Sequence, residues 1–210
     1  MRLILLGPPA AGKGTQAAIL SEKFGIPAIS TGVIIRNAIR EASPLGIKAK
    51  GFIDAGQLVP DDIAIDIVVE RIGKDDCKNG YILDGFPRTV VQAKAFTELG
   101  ITFDKVISLE ITDIEVMKRI TGRRECSKCG ATYHVKYNPS TQGDKCQKCG
   151  GELITRKDDT VETVTTRLKV YHQRTEPLKA YYLETGNLVV VRGRKRIEGT
   201  TRHLLKALGD

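Results

Sequence analysis

The chain has no tryptophan, and aromatic residues make up only 5% of its 210 positions. That leaves little of the stacking surface on which single-stranded nucleic acids are usually held. Long apolar runs are missing too. The longest, residues 3–6 and 188–191, fall far short of the ~18 residues a membrane span requires. Arg2 is followed by only four apolar residues before Gly7-Pro8-Pro9. This is too short for the apolar core of a secretory signal, so a cytoplasmic location is expected. There are three histidines, and no serine or cysteine nucleophile stands in an evident pairing with one of them, so covalent catalysis through such a pair is not expected. Repeats and low-complexity tracts are absent. Hydrophobic residues, at 41%, are too many for a disordered chain.

What is present is positive charge. Lysine and arginine number 33 against 25 acidic residues, for a net charge of +8. Such an excess suits an anionic partner: nucleic acid, membrane headgroups or small phosphates. There is no dense basic tail, and arginines stand beside glycines and turns, which favours small phosphates over a polyanion. A solvated basic surface is the plain alternative. The length predicts one to two domains with a core that buries roughly 70% of the unfolded surface.

Strands and helices alternate. Residues 2–6 read as a buried strand, 7–14 as a glycine- and proline-rich turn, and 15–24 as a helix with Ala17, Leu20 and Phe24 on one face and Gly25 as its stop. Strands are expected at 81–84, 106–110 and 188–191, and helices at 90–99 and 113–121. This order predicts an α/β fold: a parallel sheet with helices on both faces. Two stretches interrupt it. Residues 30–60 read as mostly helical, and 125–153 as a small inserted module rich in cysteines and turns. Asp159 and Glu162 are expected to cap a long helix over about 160–184, kinked or broken at Pro177.

The segment Gly7-Pro8-Pro9-Ala10-Ala11-Gly12-Lys13-Gly14-Thr15 lies between a buried strand and an amphipathic helix, the setting a phosphate-binding P-loop requires. Backbone N–H groups of a tight loop and the positive end of the helix hold phosphate oxygens. Lys13 neutralises the phosphate and Thr15 helps hold Mg²⁺. The pattern departs from the simplest form because Gly14 separates Lys13 from the hydroxyl. A carboxylate to hold the metal through water should end a neighbouring strand, and Asp84 closes the expected strand at 81–84.

Gly7–Thr15 followed by Gln16, together with Asp84-Gly85-Phe86-Pro87-Arg88-Thr89 and Gln92, resembles the adenylate kinases. Thr31-Gly32 with Arg36, Gly56-Gln57-Leu58-Val59-Pro60-Asp61, Arg119 with Gly122-Arg123-Arg124, and Arg156-Lys157-Asp158-Asp159 with Arg167 follow in the same order. The resemblance spans nearly the whole chain and is closest to the long-lid type. It implies a P-loop NTPase-like core (residues 1–29, 60–122 and 160–210), an AMP-binding insert (30–59) and a mobile lid (123–159). It also implies the reaction MgATP + AMP ⇌ MgADP + ADP.

The same resemblance implies site residues. ATP would lie on Ala10, Ala11, Gly12, Lys13, Gly14 and Thr15, with Arg119, Arg123, Thr132, Tyr133, His134 and Lys195 beside it. AMP would meet Thr31, Arg36, Gln57, Leu58, Val59, Gly85, Phe86, Pro87, Arg88 and Gln92. Arg156 and Arg167 would clamp the phosphates between the nucleotides. Lys13, Asp84, Arg88, Arg123, Arg156 and Arg167 would carry the chemistry. Ala10 departs from the family's usual glycine; it fits if the backbone there avoids the left-handed region or tolerates some strain. Val33 stands where many members carry aspartate. Phosphoryl transfer needs in-line placement and charge cancellation, which arginine's planar fork supplies. Direct transfer is expected, without a phosphoenzyme, by a chain that acts as a monomer on ATP, AMP and ADP and binds neither nucleic acid nor membrane.

Cys126-x-x-Cys129 and Cys146-x-x-Cys149, 16 residues apart, have the two-knuckle spacing of a four-cysteine structural Zn²⁺ site. Disulfides and iron are the alternatives. Some long-lid adenylate kinases carry such a metal. Cys77 is left over and reads as an inert thiol; His172 reads as structural. Two competing readings remain. One is a nucleic-acid-binding module, which the charge and the zinc-ribbon spacing support but the sparse aromatics do not. The other is a kinase of the same fold acting on GMP or UMP. Thr31, Gln92 and the long lid favour AMP by resemblance.

Overall fold

The computed structural model describes residues 1–209. Five parallel strands form the central sheet: β1 (Arg2–Leu6), β2 (Ala28–Ser30), β3 (Tyr81–Asp84), β4 (Lys105–Glu110) and β8 (Leu188–Arg192), in the spatial order β2-β3-β1-β4-β8. β1 is central and its side chains alternate between faces. Leu3 and Leu5 join Ala17, Leu20, Ile107 and Leu204 on one side. Ile4 and Leu6 join Val68, Leu83, Phe96 and Leu178 on the other. Because both faces are buried, the strand reads as a continuous apolar run rather than an alternating one. Each such fully buried Leu or Ile contributes about 1.5–3 kcal/mol. The expected α/β class, with helices on both faces of a parallel sheet, is the one observed.

Helix α1 (Lys13–Phe24) and helix α9 (Ile197–Leu208) cover the first face; α4 (Asp61–Ile72), α5 (Val90–Glu98) and α8 (Leu178–Glu184) cover the second. α1 begins at Lys13, two residues earlier than the sequence pattern suggests. Gly12, with φ of 99°, precedes its first turn, and Gly25 ends it. α2 (Thr31–Arg40) and α3 (Pro44–Asp54) share a separate apolar cluster around Ile35, Ala49 and Val59. α6 (Asp113–Thr121) packs on α7 (Val161–Val170) through Val116, Ile120, Val164 and Leu168.

Two local expectations are corrected, and the expected interruption of the 160–184 helix at Pro177 is present. α7 gives way to a π-helical stretch, Tyr171–Thr175, and α8 starts just after Pro177. A proline has no N–H to donate and crowds the preceding turn, so the pattern loosens ahead of it. The cap of α7 is Thr160, whose hydroxyl accepts from the Thr163 amide at 3.2 Å. Asp159 does not cap, because its carboxylate is taken by arginines. Residues 125–153 are more than turns. β5 (Arg123–Cys126) pairs antiparallel with β6 (Thr132–His134) and β7 (Leu153–Ile154) in a second, three-stranded sheet built on Cys126, Tyr133 and Cys146.

Candidate active site

The loop between β1 and α1 sits at the C-terminal end of the sheet, where Leu5 pairs with Asp84. Gly7 is obligatory: a methyl there would lie 2.4 Å from the Leu109 carbonyl oxygen. Gly14 answers the sequence anomaly between Lys13 and Thr15. Its missing side chain lets the Asp84 carboxylate approach, and a methyl would meet Oδ2 at 3.2 Å. Ala10 does adopt the left-handed region, at φ 56°. Of the two fits open to it, this is the strained one, at a cost of about 1 kcal/mol.

Lys13 folds back over the loop and donates to the carbonyls of Gly7 and Pro8, both at 2.8 Å. Burial pulls its ammonium down to about 8; Asp84 works against that, while Arg88, Arg167 and Arg123 add to it. A lysine so placed gains from any phosphate that arrives. The Asp84 carboxylate makes no hydrogen bond or ion pair among the described residues. With the Thr15 hydroxyl it is an oxygen donor set that suits a hydrated Mg²⁺.

Four arginines meet over this loop, one each from α2, β5, the stretch between β7 and α7, and α7. Arg123, on β5, is bidentate to Asp159, with Nε to Oδ2 at 2.8 Å. Arg167, on α7, reaches Asp158 Oδ2 at 2.8 Å and Asp159 Oδ1 at 3.2 Å. Arg156 pairs with Glu125, and Arg36, on α2, stands 3.3 Å from the same carboxylate. Burial lowers Arg36, Arg88 and Arg167, and burial with Arg123 and Arg36 nearby brings Arg156 to about 10. Burial opposes the charge on Asp158, yet Arg167 and Arg156 hold its carboxyl below the usual range. The arginines remain charged and under-compensated. Arg36 Nε and Arg156 Nε are buried with no aligned acceptor among the described residues. A cleft lined by Lys13, Arg36, Gln57, Leu58, Arg88 and Arg167 runs beneath them.

A smaller pocket adjoins it, walled by Thr31, Ile35, Val59, Phe86 and Gln92, with Leu58, Gly85 and Arg88 shared between the two. Here the structure brings together residues that the sequence assigned to AMP. Pro87 and Gln57 line the larger cleft rather than this pocket. Thr89 caps α5 and places Gln92, whose Oε1 accepts from the Arg88 amide at 2.6 Å and whose Nε2 donates to Asp61 Oδ1 at 2.7 Å. That leaves one N–H and one lone pair of the amide free. Arg88 Nε donates to the Gly85 carbonyl at 2.7 Å, and Thr31 Oγ1 to the same oxygen at 3.2 Å.

On the other side of the loop, Arg119 bridges Ala11 O at 3.5 Å and Arg194 O at 3.1 Å, next to the exposed Lys195. The β6 residues divide. Thr132 is exposed, whereas the Tyr133 hydroxyl lies 3.2 Å from Cys146 Sγ, so its ring belongs to the core of the second sheet. His134 Nδ1 accepts from the amides of Lys136 and Tyr137. Burial lowers its imidazole.

The four cysteine sulfurs lie within 4.8 Å of one another. Cys126 to Cys149 is 3.5 Å and Cys129 to Cys146 is 3.6 Å, close to the roughly 3.8 Å edge of a tetrahedron with 2.3 Å metal–sulfur bonds. Burial raises Cys146, but the Tyr133 hydroxyl and the amides of Lys148 and Cys149 outweigh it and pull the thiol down to about 6. Burial and the neighbouring thiols push Cys129 up to about 12. Four sulfurs this close form a set that could hold a metal ion. No disulfide occurs among the described residues.

Four carboxylates escaped the sequence reading as site residues: Asp61, Glu125, Asp158 and Asp159. Asp158 and Asp159 stand in a run of two basic and two acidic residues, Arg156-Lys157-Asp158-Asp159, and Asp61 ends the Gly56–Asp61 run, but none was assigned a role in the site.

A parallel sheet of order β2-β3-β1-β4-β8, with a P-loop at its central strand and an arginine-lined cleft above it, defines a P-loop phosphotransferase. Residues 5–187 match the protein family described as adenylate kinase. An adenylate kinase of Caldicellulosiruptor bescii is 53% identical over 213 residues, covering 100% of this chain and 99% of the relative. One of Alkaliphilus oremlandii is 52% identical over 214 residues with the same coverage, and one of Clostridium beijerinckii is 51% identical over 214 residues, also with the same coverage. The chain belongs to the adenylate kinase family and is a phosphotransferase. Among the described residues, no helix is long and apolar enough to cross a membrane.

Proposed function

We propose that this cleft transfers the terminal phosphoryl group of MgATP directly to AMP, giving two ADP. ATP phosphates lie on the loop from Ala10 to Thr15, and AMP lies in the smaller pocket with its phosphate toward Arg36 and Arg88. Arg123, Arg156 and Arg167 gather around the group in transit and match the charge it spreads over its oxygens. Mg²⁺, held through Thr15 and Asp84, would neutralise charge on the ATP phosphates. The spare N–H and lone pair of Gln92 form the pair of contacts an adenine edge accepts. Residues 30–59 act as the AMP-binding insert and 123–159 as the lid, on a core of 1–29, 60–122 and 160–210. The lid's four cysteines hold Zn²⁺, closed to substrate because all four positions are protein thiolates. The chain works as a cytoplasmic monomer.

The observation that carries the reading is the meeting of arginines from α2, β5, the stretch before α7 and α7 above one P-loop, with Arg36 Nε and Arg156 Nε lacking an aligned acceptor among the described residues and a separate pocket on the acceptor side. The test is a coupled assay for ADP formation from MgATP with AMP, GMP, UMP and CMP as parallel acceptors. Fast turnover with AMP alone is expected. Turnover with another acceptor would keep the mechanism and move the specificity. No turnover with any acceptor, in folded and metal-loaded protein, would overturn the reading.

A further inference from the structure

Glu125 is the one cleft carboxylate contributed by a strand of the second sheet. Asp158 and Asp159 belong to the segment leading into α7; both meet Arg167 of α7, and Asp159 also takes Arg123 of β5. Glu125 stands on β5 beside Cys126, is 7% exposed, and pairs with two arginines from different parts of the molecule. One is Arg156; the other is Arg36 of α2, at 3.3 Å. The second sheet's own packing does not require a carboxylate here, because its core is Cys126, Tyr133, Cys146 and flanking apolar side chains. Neighbouring contacts add to the bridge. Arg40 donates to the Ser127 carbonyl, and a methyl on Gly130 would meet Val33 Cγ1 at ordinary contact distance, 3.5 Å. Val33, which departs from the family's aspartate, therefore lies at an apolar contact, so the charge that joins α2 to β5 comes from Glu125.

The fit of Glu125 between its two arginines is incomplete. Arg36 Nε and Glu125 Oε2 touch their ion-pair partners but are not aligned with them as hydrogen bonds, and Arg156 Nε has no aligned acceptor among the described residues. A carboxylate offers two oxygens and one charge. A phosphate monoester offers three terminal oxygens and close to two charges, and it takes arginine forks bidentately. The same two guanidinium groups would be better satisfied by phosphate than they are by Glu125.

We propose that Glu125 is an internal competitor for the acceptor's phosphate: its carboxylate and the phosphate of AMP contend for Arg36 and Arg156. The inference rests on the reading of those two arginines as phosphate contacts. Glu125 keeps two like charges close to each other in the closed cleft, and it lowers AMP affinity. AMP must share or displace it to bind, and the carboxylate returns as the nucleotide leaves. Glu125 is a positioning residue, because it touches the arginines and not the reacting atoms.

The test is calorimetric titration of AMP and of adenosine into the wild-type protein, E125Q, E125A and R36K, each checked for metal content and melting temperature. Removing the charge in E125Q should tighten AMP about fivefold, the scale of a partly screened ion pair, and leave adenosine unchanged, since adenosine brings no phosphate. E125A carries the same expectation and decides the matter should the glutamine amide disturb β5. Unchanged or weaker AMP binding in the charge-removing variants would overturn the proposal. So would an equal change for adenosine, which would mark Glu125 as structural. R36K should weaken AMP and spare adenosine. If it leaves AMP unchanged, the phosphate reading of Arg36 fails, whatever Glu125 does.

Discussion

Arg123 and Glu125, on one face of β5, look into a cluster of arginines, while Cys126 on the other face belongs to a cluster of four thiols. Both clusters crowd groups whose ionised forms carry like charge, and they are compensated differently. The arginines have Asp158, Asp159 and Glu125 among them, so the cleft can close on the chain's own carboxylates. The thiols have no basic side chain hydrogen-bonded to a sulfur, only backbone amides and the Tyr133 hydroxyl. A charge cluster with internal counterions can fold without its ligand and needs the ligand only to act. A cluster with none needs its ion in order to fold. The cleft and the second sheet should therefore respond to perturbation in opposite ways, one losing function and the other losing structure.

The largest effect on the cleft side should come from Lys13. Lys13→Met removes a buried cation that two loop carbonyls position, and kcat should fall about 10²–10³-fold. The free energy of unfolding should stay within about 1 kcal/mol of wild type. A variant that lost both together would blur the comparison, and denaturant titration beside the ADP assay reads both. Asp61→Ala should act next. It strips the Gln92 amide, 2% exposed, of its acceptor, so acceptor saturation should show KM for AMP rising roughly tenfold, while ATP saturation changes little.

Smaller effects sharpen the picture. Ala10→Gly relieves a left-handed backbone and should raise stability by about 0.5–1 kcal/mol, measured by chemical denaturation; a loss would mean that Ala10 is not strained. His172 lies between Glu176, at 2.8 Å, and Asp113, at 3.1 Å, tying α6 to the π-helical stretch. Those two carboxylates, Glu176 first, raise its imidazole above 6.5, while burial opposes them. A raised folded value means that the protonated ring stabilises the fold fully below pH 6.5, and that this stabilisation fades as pH climbs through the folded value. The ring is 43% exposed, so screening leaves about a few tenths of a kcal/mol. His172→Gln should show that deficit at pH 6 and none at pH 9.

Much of this was legible in the sequence, for physical reasons. β1, β3 and β4 are buried on both faces and so spell continuous apolar runs; β8 spells one too, but it is an edge strand and leaves Val190 exposed. The P-loop announces itself because close backbone approach demands glycines at fixed places. The four cysteines announce themselves by their spacing. What stayed hidden lacked such a code. β2 is three residues long and borrows its register from β3. β5, β6 and β7 are short, two to four residues each, and no stripe of apolar residues announces them, because their sheet is built around Cys126, Tyr133 and Cys146. Thr160 rather than Asp159 caps α7 because Arg123 and Arg167, one of them 36 residues away, claim the Asp159 carboxylate. Glu125 was invisible for the same reason: no local spacing ties it to Arg36.

The most direct test of the comparison is amide hydrogen exchange on metal-loaded and chelator-stripped protein, resolved along the chain. If the four cysteines hold a metal as proposed, residues 123–159 should lose protection on stripping, while β1, β3 and β4 keep theirs. Equal loss in both regions, or undiminished protection of residues 123–159 without metal, would contradict the account.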